Sequence, residues 1–172
     1  MRRMIALLVG ALLLVTLCSC RKTKEDLKFY VVSGSEVTAS MGDDAILAAA
    51  KKKGRVAFTG ADIKGYLWAS HRVQLQNVNA LGGTRDGGSA FFQADPEDLF
   101  VLALGGKVLY VGGFAAGSST VNPPRNPYIK DESSMVFSII YDSKFGQGED
   151  PRGNTVLYNY LTDQQLLVSK IQ

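Results

Sequence analysis

Tyr66, Trp68 and His71 fall within six consecutive positions and include the chain's only tryptophan and only histidine. Two aromatic faces beside an imidazole suit binding: the rings offer flat apolar surface, and the imidazole offers a hydrogen-bonding group that titrates near neutrality. The same residues have a plainer use. Trp68 then anchors the core, and His71 begins a strand with its ring bonded to backbone. That plainer use is the expectation here, because no second catalytic group is spaced to work with His71. A serine nucleophile with His71 as base would call for a Gly-x-Ser-x-Gly elbow, and Gly34-Ser35 and Gly117-Ser118 lack the flanking pattern.

Other groupings carry weaker chemistry. Gly82-Gly83-Thr84-Arg85-Asp86-Gly87-Gly88 shares only its glycine content with a phosphate loop, lacking the Gly-Lys-Ser/Thr ending, and reads as a surface loop. Asp142, Glu149 and Asp150 do not have the ligand spacing of an EF-hand. A carboxylate pair for glycoside hydrolysis is defined by a tertiary distance that no spacing reveals. Asp150-Pro151-Arg152-Gly153-Asn154 reads as a structural entry to a helix, with Pro151 stiffening it and Asp150 or Asn154 as cap.

The elements that must position these residues follow from periodicity. Phe29–Val32 and Arg55–Phe58 predict strands. Between them, Ala45–Lys53 predicts a helix capped by Asp43 or Asp44, with Ile46, Leu47 and Ala50 on one face and Gly54 as the residue after its end. Thr59-Gly60-Ala61-Asp62 has capping-box spacing and predicts a short helical segment through Ile63 and Leu67. Arg72–Val78 alternates as a half-buried strand.

Leu99–Leu104 and Lys107–Val111, separated by Gly105-Gly106, predict a tight central hairpin covered on both faces. A two-residue turn would pair Leu104 with Lys107, Leu102 with Leu109 and Phe100 with Val111, so that Phe100, Leu102, Leu104, Leu109 and Val111 share a face. Residues 112–131 read as irregular and Met135–Tyr141 as a strand. Asn154 should cap a final helix using Val156, Leu157, Tyr160 and Leu161, with Leu166–Ile171 extending it or forming an edge segment. The predicted fold is α+β: one mainly antiparallel sheet with a central Gly-Gly hairpin and two or three helices.

The beginning of the chain has its own pattern. Arg2 and Arg3 precede an uncharged apolar run, Ile5–Leu17, and Leu17-Cys18-Ser19-Cys20 follows. This resembles a bacterial lipoprotein signal peptide with its lipobox. The apolar run is short for a membrane span, which takes about 20 residues. The resemblance implies cleavage before Cys20, lipid on Cys20 and a location in the cell envelope. It gives residues 1–19 as signal peptide, 20–28 as lipidated cysteine and tether, and 29–172 as a single domain. Arg21 at the second mature position resembles the pattern that permits sorting to an outer membrane where the host has one.

A second resemblance runs from residue 55 to residue 165. Asp62-Ile63, Tyr66, Trp68 and His71 form D-I-x-x-Y-x-W-x-x-H ahead of an alternating strand. Gly112-Gly113-Phe114, Ser118-Ser119 and Asp150-Pro151-Arg152 follow in order. The pattern is similar to that of small secreted or lipid-anchored bacterial proteins of unknown function. It departs at Leu67, where an acid is common, and at Val73 in place of Ile. It implies a shared fold and location, and no activity.

Composition narrows the function. Without Arg2 and Arg3 the mature chain has 17 basic against 16 acidic residues, so nucleic acid binding has no electrostatic support. Both cysteines lie at or before position 20, and there is one histidine, so thiol chemistry, thiolate metal sites and multi-histidine sites are not expected, and no cofactor is implied. What remains is a lipid-anchored envelope protein that binds an envelope protein or polysaccharide. The alternatives are an envelope carbohydrate or peptide hydrolase working through carboxylates, and a structural component of an envelope complex. With Cys18 removed and Cys20 capped, the domain has no disulfide to lose. Its thermal midpoint should therefore be the same with and without a thiol reductant, as read by circular dichroism; a drop of several degrees would mean a cross-link involving these cysteines.

Overall fold

The computed structural model describes residues 24–38, 40–76, 94–95, 97–115, 126–133, 135–145 and 148–171. The leader, Cys20, Asn77-Val78, the glycine-rich segment 82–88 and residues 116–125 lie outside them. The fold is α+β, and among the described residues it has two α-helices and one eight-stranded sheet that is mixed, where a mainly antiparallel one was expected. Its strands are β1 (Leu27–Val32), β2 (Arg55–Thr59), β3 (Ile63–Leu67), β4 (Arg72–Leu75), β5 (Leu99–Leu104), β6 (Lys107–Phe114), β7 (Tyr128–Ser133) and β8 (Val136–Ile140). The helices are α1 (Asp43–Lys53) and α2 (Thr155–Asp163).

The strand order is β2-β1-β5-β6-β7-β8-β4-β3. Neighbours are antiparallel except β6 and β7, whose parallel seam pairs Gly113 with Tyr128 and Phe114 with Ile129. Residues 112–131 therefore hold the end of β6 and the start of β7, where composition predicted irregular chain. Gly112 makes the approach at this seam possible: a Cβ there would collide with the Pro127 carbonyl and the Phe100 ring.

One face of the sheet carries most of the core. Phe29 stacks on Phe58 and Phe100, with centroids 4.6 and 5.0 Å apart, and both Phe29 and Phe58 reach Phe137 on β8, at 6.3 and 5.7 Å. Leu157, Tyr160 and Leu161 of α2 and Leu166 complete this cluster. On the other face Ile46, Leu47 and Ala50 of α1 pack against Tyr30, Val32, Leu99, Val101 and Ala103. On the far half of the sheet, Glu132 of β7 accepts from the Ser138 hydroxyl on β8 and pairs with Arg72 on β4, tying three adjacent strands.

Local departures have local causes. The N-cap of α1 is Gly42, without a side-chain cap, so Asp43 and Asp44 act in the first turn through the helix dipole instead. Gly54 is extended (φ −80°), and its small size serves a close approach to the Ala50 and Val31 carbonyls rather than a left-handed turn. The Thr59–Asp62 capping box forms, but it closes a single 3₁₀ turn over Gly60–Asp62. The next residues, predicted helical, are β3, because pairing with β4 overrides a local helix signal already weakened by Gly65. β1 starts at Leu27, two residues before the prediction, and Leu27 is buried.

The β5–β6 register also differs. Gly105 and Gly106 have φ of 57° and 81°, and Leu104 faces Lys107. A bulge then sets Leu102 opposite Tyr110 and Phe100 opposite Gly112. One extra residue flips every later side chain. Tyr110 therefore joins Phe100, Leu102 and Leu104 in the aromatic core, while Val111 turns to the α1 side.

Gly112→Ala tests the seam. The added methyl should destabilise the fold by about 1–3 kcal/mol, the usual cost of overpacking, seen as a lower urea midpoint with unchanged slope. A neutral result would mean that β6 and β7 do not meet this closely.

Candidate functional site

β3 ends at Leu67, a 3₁₀ turn covers Trp68–Ser70, and His71 reverses the chain into β4. His71 does this in the left-handed region (φ 50°, ψ 40°), which histidine enters more readily than most residues though at some cost. Backbone bonds fix the turn: His71 N–H donates to the Trp68 carbonyl at 3.3 Å, and Ile139 N–H of β8 donates to the His71 carbonyl at 3.0 Å. The outer edge of β3 is held as well. Tyr66 N–H donates to the Leu166 carbonyl and Val168 N–H to the Tyr66 carbonyl, so the C-terminal segment runs as an edge partner.

Tyr66, Trp68 and His71 come together. The Tyr66 hydroxyl lies 3.0 Å from His71 Nδ1. The Trp68 ring meets His71 edge-on at 5.2 Å and Tyr66 at 5.8 Å. Tyr66 is buried, whereas Trp68 and His71 are half-buried. The ring of His71 therefore bonds a side chain, in place of the backbone bond that the sequence led us to expect. Tyr158 of α2, 42% exposed, stands at 73° to Trp68 with centroids 5.0 Å apart, and the two rings make an open corner.

The Asp150-Pro151-Arg152 segment comes to the same place. Asp150 accepts from Arg152 N–H, Nε and Nη2, and Arg152 Nη1 donates to the Ile139 carbonyl at 2.8 Å. Asp150 thus caps the 3₁₀ turn, while Asn154 caps α2 by accepting from Val156 and Leu157 N–H. Arg152 also sits over the Tyr141 ring at 5.8 Å. Sequence reasoning read Asp150 and Arg152 as a helix entry and as part of the resemblance that includes Tyr66, Trp68 and His71, gave them no place in the candidate site, and counted Val156 on the apolar face of α2. In the fold Val156 is 49% exposed, and Tyr158 supplies the contact to Trp68. The i, i+2 acid–arginine spacing was the one visible signal.

Electrostatics couple these groups. Burial pushes the Tyr66 and Tyr110 phenols up, so both stay protonated. The wholly buried Tyr110 hydroxyl interacts with that of Tyr66, yet it makes no hydrogen bond of good geometry. Burial first, and the Arg152 guanidinium second, hold His71 below its usual range, with Asp150 opposing. The hydrogen bond from the Arg152 side chain holds Asp150 low. The Tyr66 hydroxyl donates to Nδ1 in the tautomer with the proton on Nε2 and accepts from it in the other. Among the described residues no group of three or more His, Cys, Asp or Glu is placed to hold a metal, and His71 makes no hydrogen bond to a serine.

Comparison with protein-family models, with curated proteins and with solved structures finds no match to this chain.

The depressed His71 sets a pH dependence. The unfolded chain takes up the imidazole proton near the ordinary 6.5, and the folded one does so only at lower pH. Stability should therefore fall as pH drops below that ordinary value. His71→Gln removes this contribution. Its denaturation midpoint should decline less than the wild-type midpoint between neutral and mildly acidic pH; parallel curves would contradict the assignment.

Proposed function

We propose that this protein is anchored by lipid on Cys20 to the bacterial cell envelope and that its domain is a binding module rather than an enzyme. One observation carries the reading: the Leu17-Cys18-Ser19-Cys20 pattern after a charged start and an uncharged apolar run ends four residues before Lys24, where the fold begins to hold the chain. The Lys24 carbonyl accepts from the Tyr160 hydroxyl, and Gly105 N–H donates to the Asp26 carbonyl. A link from Cys20 to Lys24 spans at most about 14 Å, so the lipid would keep the domain against the membrane surface. Among the described residues no helix is long and apolar enough to cross a membrane. Arg21 favours the outer membrane where the host has one.

A binding role is supported by the corner of Trp68 and Tyr158, which offers aromatic surface beside a histidine and an ion pair. The Asp150 carboxylate is occupied by Arg152, which favours binding over acid–base work. The partner fits an envelope protein or polysaccharide. What supports the Gly105-Gly106 turn as the hub of the sheet is the interior position of β5 and β6 in the strand order, with packed clusters on both faces.

Palmitate labelling with mass spectrometry of the membrane-extracted protein tests the anchoring. Wild type should carry label on an N-terminal Cys20. Cys20→Ala should lose the label and remain unprocessed. Normal processing and membrane retention of that variant would overturn the reading.

A further inference from the structure

We propose that the Trp68–Tyr158 corner, with His71 and the Asp150–Arg152 pair beside it, binds a neutral sugar ring of an envelope glycan. The inference rests on the binding-module reading and names its ligand.

A pyranose has an apolar C–H face and a rim of hydroxyls. Trp68 and Tyr158, set at 73° with centroids 5.0 Å apart, give such a ring a floor and a wall. Tyr158 is 42% exposed and Trp68 half-buried, so both residues are partly open to solvent and partly held by packing. A rigid aromatic surface binds with little loss of side-chain freedom.

The neighbouring polar groups fit the hydroxyl rim. Arg152 uses its N–H groups on Asp150 and on the Ile139 carbonyl, but a guanidinium has five, so donors remain. The Asp150 carboxylate keeps acceptor capacity, and the imidazole offers its second nitrogen. Charge selects among ligands. Asp150 and Arg152 neutralise each other, and His71 is held neutral at ordinary pH, so the patch hydrogen-bonds without net charge. Among these three groups a phosphate, a uronate or an acidic peptide finds no uncompensated cation. A protein partner of ordinary affinity needs about 800 Å² on each side, far more than two half-open rings provide. The left-handed backbone at His71 adds an independent sign, since such positions gather at ligand sites.

Trp68 is the only tryptophan, so tryptophan emission, excited selectively over the tyrosines, reports on this site alone. The full-length protein in detergent is titrated with chitotetraose, with maltotetraose and with tetragalacturonate. At least one neutral oligomer should give a saturable emission change, and the acidic one none. Tyr158→Ala should weaken the neutral oligomer about tenfold or more, near 1.4 kcal/mol, with an unchanged thermal midpoint. Saturation-transfer NMR on the wild type, reading Trp68 ring protons against the sugar, gives the same answer if that variant fails to fold. No response to either neutral oligomer, a response only to the acidic one, or an equal response in Tyr158→Ala overturns the proposal, as does capture of an envelope protein through this corner without glycan binding. Lipid on Cys20 is measured in the same preparation. A lipidated protein that ignores neutral glycans overturns the sugar proposal alone, and a glycan-binding protein without lipid overturns only the anchoring.

Discussion

Gly60, Ala61 and Asp62 carry the chain from β2, at one edge of the sheet order, to β3, at the other. A flat sheet of eight strands would put those edges about 34 Å apart, with neighbours near 4.8 Å. The link reaches at most about 14 Å even when extended, and its 3₁₀ turn shortens it. The sheet must therefore curl until its halves face each other. That closure lets Phe29 and Phe58 from one half meet Phe137 from the other. It also places α2 and Leu166 against the same interior. The Thr59–Asp62 capping box holds the corner: the Asp62 carboxylate accepts from both Thr59 N–H and the Thr59 hydroxyl.

Curling imposes a demand on the middle of the sheet. Among the described residues the two antiparallel halves, β2-β1-β5-β6 and β7-β8-β4-β3, are joined by strand pairing only at the short β6–β7 seam. Gly112 brings the strands close there, and the bulge in β6 turns Tyr110 into the aromatic core. That flip has a consequence at the candidate site. The buried Tyr110 hydroxyl lies toward that of Tyr66 without a hydrogen bond of good geometry, and the Tyr66 hydroxyl meets His71 Nδ1 at the half-open turn. Polar groups in a core are costly unless satisfied; the Tyr66–His71 contact ties β3 to the turn that follows it, while the Tyr110 hydroxyl stays without a hydrogen-bond partner.

The same economy governs the loop before α2. Arg152 binds Asp150, the Ile139 carbonyl and the face of Tyr141, joining the helix entry to β8. Ile139 N–H in turn holds the His71 carbonyl, so one residue of β8 connects the histidine turn with the Arg152 turn. Tyr158 reaches Trp68 because Leu157, Tyr160 and Leu161 fix the rotation of α2. The corner is thus a by-product of core packing, which makes it rigid without dedicated support.

Patterns of local origin were legible in the sequence. The α1 face of Ile46, Leu47 and Ala50, the Asn154 cap, the Thr59–Asp62 box and the apolar content of β5 depend on neighbours within a turn or on side-chain alternation. The tertiary structure decided whatever required partners far along the chain. β3 is a strand because β4 and the Leu166–Val168 segment offer its backbone hydrogen bonds. β7 exists because β6 and β8 flank it. The bulge that exchanges Tyr110 and Val111 answers to the neighbouring core, which the turn residues do not specify. Of the candidate site, Trp68 and His71 were visible because each is the only one of its type, with Tyr66 close by in the sequence. Tyr158, Asp150 and Arg152 were not, since about eighty residues separate them from His71 and only the closure of the sheet brings them to one place.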